Sequence, residues 1–178
     1  MPQSDERFRA ALDAARQWEK ALAGWVRAKG WHVLPTYDFS GKGDDKAPKL
    51  LAPPGQVDLV MPDLQCFRSG ACRWIECKWK TQATWHRVTK RWVTGISLRL
   101  ANHYIKVQQL TGADVSLLFL HEREGEVRGG PMREIEPLWA HDYGGGRMGR
   151  HGMRFWRWEE MPLRATLAEV AAHAPRAA

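Results

Sequence analysis

Glu76 and Lys78 stand two positions apart in the otherwise largely apolar stretch RWIECKWK, residues 73–80. Alternate residues of a β-strand point to the same face, so Glu76 and Lys78 project together while Ile75 and Cys77 face the other way. Burying a charge without a partner is costly, so two charges on one strand face have a structural or a chemical purpose. The first alternative is a salt bridge on a sheet surface, and the second is a catalytic pair.

Phosphodiester hydrolysis is the chemistry that suits such a pair. It requires neutralised charge at the phosphate, an activated water and a stabilised leaving oxygen. Carboxylates such as Asp58 and Glu76 are hard oxygen ligands that can hold Mg²⁺ or Mn²⁺ and leave positions open for water. Lys78 could orient the attacking water or stabilise the pentavalent phosphate. Together with the other features below, this chemistry favours the catalytic pair.

Two aspartates precede this stretch, and either could complete the site. Asp58 lies in VDLV, which is the better strand, with Val57 and Leu59 on one face. Asp63 follows Pro62, and an aspartate beside a proline more often marks a bend. A tight turn at Ser69-Gly70 would nevertheless place Asp63 opposite Glu76. Strand quality favours Asp58, and Asp63 stays the alternative.

The net charge of +7 is concentrated in one region of the sequence. Between Glu76 and Asp114 there is no acidic residue, while seven cations occur there: Lys78, Lys80, Arg87, Lys90, Arg91, Arg99 and Lys106. Such a one-signed stretch indicates a polyanion partner, the alternative being a solvated surface. Aromatic rings can stack on bases while cations hold phosphates. We therefore predict a nucleic-acid-binding segment that includes Lys80, Trp85, Arg87, Lys90, Arg91 and Trp92.

The elements around these residues predict an α/β or α+β domain with a mixed central sheet. An amphipathic helix over 5–29 carries Glu19 on its apolar stripe, between Leu12 and Val26. A short strand follows in GWHVLPTY, then a flexible loop over 38–55. The further predicted elements are strands over 56–66 and 72–79, a helix over 97–111, a strand in DVSLLFLH, strands in EVRGGPMREI and MRFWRW around a glycine-rich loop, and a helix over 163–173.

This order of elements resembles the PD-(D/E)xK, or restriction-endonuclease-like, nuclease superfamily. The resemblance rests on an early helix with an inward Glu19, then Asp58 in a strand, then Glu76-Cys77-Lys78 in the paired strand. The stretches GQVDLV and RWIECKWK, with HYIKVQQLTGADVSLLF, are similar to phage and restriction-type members. The resemblance implies an αβββαβ core over about 5–121, with a C-terminal β/α addition over 122–178 in one nuclease-like domain.

The resemblance also implies roles for individual residues. Asp58, Glu76, Lys78 and Glu19 would be catalytic, and the Cys77 backbone carbonyl would join the three carboxylates as a ligand of Mg²⁺ or Mn²⁺. The second helix would flank the active site, so His103, Tyr104 or Gln108 could approach the phosphate. The alternative for His103 is a core residue with a hydrogen-bond partner. Among the arginines of the glycine-rich segment, Arg147, Arg150 and Arg154 could also bind nucleic acid.

Several features of the sequence indicate the cellular compartment of the protein. No apolar run reaches the ~20 residues of a membrane span, and the N-terminal segment has no apolar signal-peptide region. Three cysteines without paired spacing suit a reducing compartment and disfavour a zinc site. We therefore expect a cytoplasmic protein of a bacterial or phage-infected cell, with a homodimer as an open alternative.

The predicted function is a metal-dependent nuclease that hydrolyses phosphodiester bonds, with DNA the favoured substrate over RNA. The alternative is a catalytically inactive module that keeps the nuclease fold and binds nucleic acid or a partner protein. The presence of Glu19, Asp58, Glu76 and Lys78 together favours the enzyme.

Overall fold

The computed structural model describes residues 2–36, 48–143 and 152–174 of the chain. Its helices are α1 (Pro2–Ala28), α2 (Leu98–Thr111), α3 (Met132–Ile135) and α4 (Leu167–Ala171), with a 3-10 turn at Glu136–Leu138. Its strands are β1 (His32–Pro35), β2 (Lys49–Leu50), β3 (Leu59–Val60), β4 (Leu64–Arg68), β5 (Ala71–Lys80), β6 (Thr84–His86), β7 (Arg91–Ser97), β8 (Asp114–His121), β9 (Glu126–Pro131), β10 (Trp139–Tyr143), β11 (Met153–Arg157) and β12 (Leu163–Thr166).

A mixed sheet forms the centre of the molecule, as the sequence predicts. Its strand order is β1-β4-β5-β8-β9-β12. The central pair, β5 and β8, is parallel, and every other pair in this sheet is antiparallel. The connection from β5 to β8 includes the β6–β7 hairpin and α2. Whether this arrangement is restriction-endonuclease-like stays a prediction.

The alternation of side chains along β5 builds a separate apolar layer on each face of the central sheet. Ile75 and Cys77 pack with Leu22 and Val26 of α1 on one face. Trp74 packs on the other face with Tyr104 of α2. Glu76 and Lys78 share the parity of Trp74, so their side chains leave β5 on the α2 face.

α2 begins and ends at residues whose chemistry marks the boundaries. The Ser97 hydroxyl accepts a hydrogen bond from the Leu100 N–H at the first turn. Gly112 has φ +66°, and its N–H donates to the Gln108 carbonyl at the last turn. The predicted helix over 97–111 is thereby confirmed to within one residue.

Three predicted elements are wrong in their extent. The strand expected in EVRGGPMREI ends at Pro131, and the residues after it form α3. The strand expected over 56–66 is divided into β3 and β4, which lie in different sheets, with Pro62 between them. Proline has no N–H to donate to a strand ladder, so a break is expected there. The helix expected over 163–173 starts only at Leu167, because Thr166 and Glu169 form a capping box that begins the helix, while β12 pairs with β9.

A second sheet has the strand order β10-β11-β7-β6. Two of its strands come before β8 in the chain and two come after β9. Its β6–β7 hairpin accounts for the basic, aromatic segment at 81–95, to which no secondary structure was assigned from sequence. Residues after 121 contribute strands to both sheets. Most of the predicted 38–55 loop, as well as Arg147 and Arg150, lies outside the described residues.

β9 approaches β8 closely at Gly129, and this approach requires a residue without a side chain. Its φ is +134°, and a Cβ there would collide with the Leu117 backbone carbonyl. Gly125 also has a positive φ, +68°, but open space surrounds it. We expect Gly129→Ala to lower the free energy of unfolding by more than about 2 kcal/mol, because backbone strain and overpacking add. Gly125→Ala should cost about 1 kcal/mol from strain alone.

Urea denaturation of the two variants measures this difference. Equal losses of stability in Gly129→Ala and Gly125→Ala would contradict the close packing of β8 against β9.

Candidate active site

The edge of β5 loses its partner strand at the point where the charged residues begin. β4 pairs with β5 from Arg68↔Ala71 to Leu64↔Ile75, and β5 then continues to Lys80. Continuing that register places Asp63, the residue before β4, opposite Glu76. The resulting notch exposes the backbone edge of β5 from Glu76 onward on the side that β4 would otherwise cover.

The Asp63 carboxylate takes the place of the missing strand. Its Oδ2 accepts a hydrogen bond of 2.7 Å from the Cys77 N–H. The N–H and C=O of one strand residue point to the same neighbouring strand. The Cys77 carbonyl therefore points toward the same notch, beside Asp63, as a ligand oxygen should.

Thr36 holds the backbone of Asp63 in position. The Thr36 hydroxyl donates to the Pro62 carbonyl at 2.8 Å and to the Asp63 carbonyl at 3.0 Å. The Thr36 N–H also donates to the Asp63 carbonyl, at 2.9 Å. This residue, just after β1, positions the aspartate, and sequence analysis missed it because no local pattern links it to Asp63.

Glu76 and Lys78 form an ion pair between Glu76 Oε1 and Lys78 Nζ. The Glu76 side chain is 1% exposed and that of Lys78 is 32% exposed, so the lysine is the member that solvent or a ligand reaches. The second oxygen, Glu76 Oε2, is buried without a hydrogen-bond partner among the described residues. Such an orphaned carboxylate oxygen is costly unless something else binds it.

Tyr104 of α2 meets this pair from the other side. Its side chain is buried, and burial, the charges of Glu76 and Asp63 and a hydrogen bond to Glu76 raise its pKa above the ordinary range. The hydroxyl therefore stays protonated and lies where it can donate to Glu76. Asp63, Glu76 and Lys78 form what is called the cluster below. Of the three α2 residues that the resemblance suggests, Tyr104 is the one that lies beside it.

The Lys78 ammonium is stabilised as a cation in this environment. Burial alone would lower the pKa of Lys78, but the Glu76 and Asp63 carboxylates outweigh burial and raise that pKa above its ordinary value. Lys80, on the same strand face, shows the opposite behaviour, since burial and the Lys78 charge lower its pKa.

Glu19 of α1 is close enough for the cluster to change its ionisation. Burial raises the pKa of Glu19 from 4.5 to about 7, while the Lys78 charge lowers it and the Glu76 charge raises it. Burial also raises the pKa of Asp63, and the charges of Glu76 and Glu19 act in the same direction. Asp63 and Glu19 would both be more easily ionised beside a further cation.

Asp58, which strand quality favoured as the site aspartate, lies elsewhere. Its Oδ1 accepts a hydrogen bond of 3.0 Å from the Ala52 N–H. It is not among the main charges that shift the pKa values of Glu19, Asp63 or Lys78. The structure thus places Asp63, and not Asp58, beside Glu76 and Lys78, because Pro62 breaks the strand and separates Asp58 from β4. Which aspartate binds a metal stays a prediction.

The residues fit a hard divalent cation. Mg²⁺ is commonly bound through one or two carboxylates and keeps several waters; here Glu76 has a buried oxygen without a partner, and the Asp63 carboxylate lies against the Cys77 backbone. In the described part of the chain, no three His, Cys, Asp or Glu side chains are grouped closely enough to hold a metal.

His103 and Gln108, both predicted to bind nucleic acid, have partners inside the protein. His103 Nδ1 accepts a hydrogen bond of 2.9 Å from the Val60 N–H, as in the core alternative. Gln108 Oε1 accepts one of 3.1 Å from the Val115 N–H, at the start of β8. These bonds tie α2 to β3 and to β8, so the structure brings neither residue to the charged cluster.

The predicted nucleic-acid residues of 85–92 lie together on the β6–β7 hairpin. Trp85 and Trp92 are directly opposite each other and 48% and 39% exposed. Their rings make an edge-to-face contact with centroids 5.4 Å apart. Arg87 and Lys90 are exposed at the turn, and Arg91 pairs with Glu160 at 3.4 Å. The exposure expected for the two tryptophans is confirmed.

Comparisons with known proteins add one structural likeness to these observations. The sequence matches no protein-family model and no curated protein. One similar solved structure is Hjc, a Holliday junction resolvase from Archaeoglobus fulgidus, with 13% sequence identity and a TM-score of 0.49 over 86% of this chain and 95% of that chain. A likeness at this level does not identify an activity for the chain.

Among the described residues, no helix combines the length and the apolar character needed to cross a bilayer.

The pKa of Glu19 makes stability depend on pH when no metal is bound. The native carboxyl keeps its proton up to about pH 7, whereas an unfolded glutamate releases it near 4.5. The native state therefore binds more protons between those values, and its stability falls as the pH rises through that window. In EDTA, we expect the melting temperature to fall from pH 5 to pH 8, and to fall less in Glu19→Gln.

Glu6→Gln, at an exposed position of the same helix, is the matched control and should follow the wild type. A melting temperature of Glu19→Gln that falls with pH as steeply as that of the wild type would show that Glu19 is not held in this environment.

Proposed function

We propose that this protein is a metal-dependent nuclease that hydrolyses phosphodiester bonds, with DNA the favoured substrate. The observation that supports it most is the Asp63–Cys77 hydrogen bond, which puts a carboxylate beside the Glu76–Lys78 ion pair at the open edge of β5. We further propose that residues 122–178 extend the same domain.

Asp63, Glu76 and the Cys77 carbonyl would hold Mg²⁺ or Mn²⁺, with Glu19 acting on the cation from outside these three ligands. A bound divalent ion supplies charge neutralisation at the phosphate and a water of lowered pKa. The residues themselves support binding of a cation, because Glu76 leaves one buried oxygen unpaired and burial and the neighbouring carboxylates raise the pKa of Asp63.

Lys78 would act as a fixed cation rather than as a proton acceptor. Its raised pKa keeps the ammonium protonated at neutral pH, so it can donate hydrogen bonds to a phosphate oxygen and stabilise charge that develops there. Its partial exposure allows that contact, whereas Glu76 is enclosed. Of the two roles considered from sequence, stabilisation of the phosphate is the one that this environment favours.

Tyr104 and Thr36 would be positioning residues. Tyr104 would donate to Glu76, and Thr36 fixes the backbone of Asp63 through two carbonyls. Both act on a carboxylate of the cluster and neither needs to touch the substrate. A site that must hold its groups within a fraction of an ångström depends on such supports.

The β6–β7 hairpin would supply the nucleic-acid contacts. It begins four residues after Lys80, the last residue of the strand that carries Glu76 and Lys78. Exposed indole rings beside cations are suited to stacking on bases and to holding phosphates. Arg87 and Lys90 lie at the hairpin tip, next to the strands that carry the exposed Trp85 and Trp92.

Cleavage of linear, circular and branched DNA, and of RNA, with Mg²⁺ or Mn²⁺ and with EDTA, tests the enzyme. We expect metal-dependent cleavage, and Asp63→Asn should reduce its rate by about 10²-fold or more, as loss of one charge-stabilising group does in other active sites. Asp58→Asn is the matched control and should retain most of the activity, because its carboxylate lies outside the cluster.

Absence of cleavage of every substrate with either metal would favour the inactive binding module instead. Loss of cleavage in Asp58→Asn but not in Asp63→Asn would show that Asp58, the aspartate that strand quality favoured, is the active-site residue.

The salt dependence of DNA binding tests the hairpin. Each phosphate contact contributes about 0.9 to the slope of log K against log salt concentration on duplex DNA. We expect simultaneous replacement of Arg87, Lys90 and Arg91 by alanine to weaken binding and flatten that slope. Replacing Arg9, Lys20 and Arg27 of α1 removes the same charge and should change the slope less.

Binding is measured in metal-free buffer, so cleavage does not interfere. An equal change of slope in the two triple variants would exclude the hairpin as the specific contact surface.

A further inference from the structure

A cavity of about 240 Å³ lies beside the C-terminal part of α1. It is enclosed by the last turns of α1, by the face of β5 and β8 that α1 covers, and by β9. Because Arg73 and Ile75 alternate with Glu76 along β5, their side chains lie on the opposite face of the sheet from Glu76. The apolar part of its wall is formed by Trp25, Val26, Trp31, Ile75 and Leu118.

Two hydrogen-bond donors line this cavity without partners. The Ser116 side chain belongs to a residue that is 4% exposed, and its Oγ has no hydrogen-bond partner among the described residues. Arg73 Nε is buried and equally without a partner there. Ser116 lies opposite Ile75 in the β5–β8 register, so the serine and Arg73 belong to the same sheet face. Buried donors left unpaired are costly, and a bound acceptor removes that cost.

The charge around the cavity is positive. Its lining includes Lys29, Arg73, Arg133 and Arg164 but one acidic residue, Glu134. Glu134 is engaged by Arg164 at 2.8 Å, and Arg133 pairs with Asp114 at 2.9 Å. These two arginines are thereby neutralised.

Arg73 differs from them. Its guanidinium lies over the Trp31 ring, 4.4 Å from the centroid, and no carboxylate of the described residues forms an ion pair with it. A cationic donor and a neutral donor on one face of the sheet, both without partners, select an anion that accepts hydrogen bonds. The adjoining indole rings of Trp25 and Trp31 favour a ligand that also has a flat apolar part.

We infer that this cavity binds a small organic anion whose phosphate or carboxylate accepts hydrogen bonds from Ser116 Oγ and Arg73 Nε, with a flat apolar body against Trp25 and Trp31. Its volume is near the lower end of the range for ligand pockets, which suits a mononucleotide or an aromatic acid. The site is independent of the nuclease proposal, because none of its residues belongs to the Glu76 cluster.

Isothermal titration in EDTA tests this inference with four probes: deoxyadenosine 5′-monophosphate, benzoate, inorganic phosphate and uncharged deoxyadenosine. We expect the first two to bind, phosphate to bind more weakly, and deoxyadenosine not to bind. No binding of either ring-bearing anion at millimolar concentration would overturn the inference. Equal affinity for phosphate and for the mononucleotide would overturn the inferred contact between the ring of the ligand and Trp25 and Trp31.

Substitutions then locate the binding. Ser116→Ala should weaken mononucleotide binding by about tenfold, the typical effect of one hydrogen bond to a charged group. Its ligand-free melting temperature should stay the same or rise, because the substitution removes an unpaired hydroxyl. A merely structural serine would instead lower the melting temperature and leave the affinity unchanged, which would contradict the site.

Arg73→Gln should weaken binding more than Ser116→Ala does. Arg68→Gln is the matched control, because Arg68 also lies over the Trp31 ring, at 4.5 Å, but does not line the cavity. Asp63→Asn should bind the mononucleotide like the wild type. Equal losses in Arg68→Gln and Arg73→Gln, or a loss in Asp63→Asn, would place the binding elsewhere.

Discussion

The hydrogen bond from the Cys77 N–H to the Asp63 carboxylate is the constraint on which the site depends. It forms because β4 stops at Leu64 while β5 continues to Lys80. An unpaired backbone N–H at a sheet edge needs an acceptor, and here an aspartate side chain provides one instead of a strand. The same termination leaves the Cys77 carbonyl facing the notch, so one break in the ladder both positions a carboxylate and leaves the strand edge beside it without a partner strand.

The electrostatics of the cluster follow from that geometry. Burial raises the pKa values of Asp63 and Glu19, while the Glu76 and Asp63 carboxylates keep Lys78 protonated. Without a further cation the arrangement is frustrated, since Glu76 also leaves one oxygen unpaired. Functional sites commonly retain such unfavourable terms because a ligand relieves them.

The sequence predicted the elements with strong periodicity and missed those that depend on tertiary pairing. The parity of Glu76 and Lys78 follows from strand alternation alone, and α2 is recognisable from its boundary residues Ser97 and Gly112. Strand propensity favoured Asp58, whereas the structure places Asp63 beside Glu76; the literal Pro62-Asp63 pair and the turn at Ser69-Gly70 had indicated that alternative. Both residues of that turn have positive φ values, which brings β4 back on β5 in the register that sets Asp63 opposite Glu76. Thr36 could not be found from sequence, since its contact with Asp63 spans 27 residues.

Crystals soaked in Mn²⁺ would test the central claim most directly, because the anomalous signal locates the ion without assumptions about activity. The account predicts a single strong peak at the notch, bound by Asp63, by Glu76 and by the Cys77 carbonyl, with Asp58 still bonded to the Ala52 N–H. A peak at Asp58, or a notch that stays empty at a saturating Mn²⁺ concentration with the Glu76–Lys78 ion pair unchanged, would contradict it.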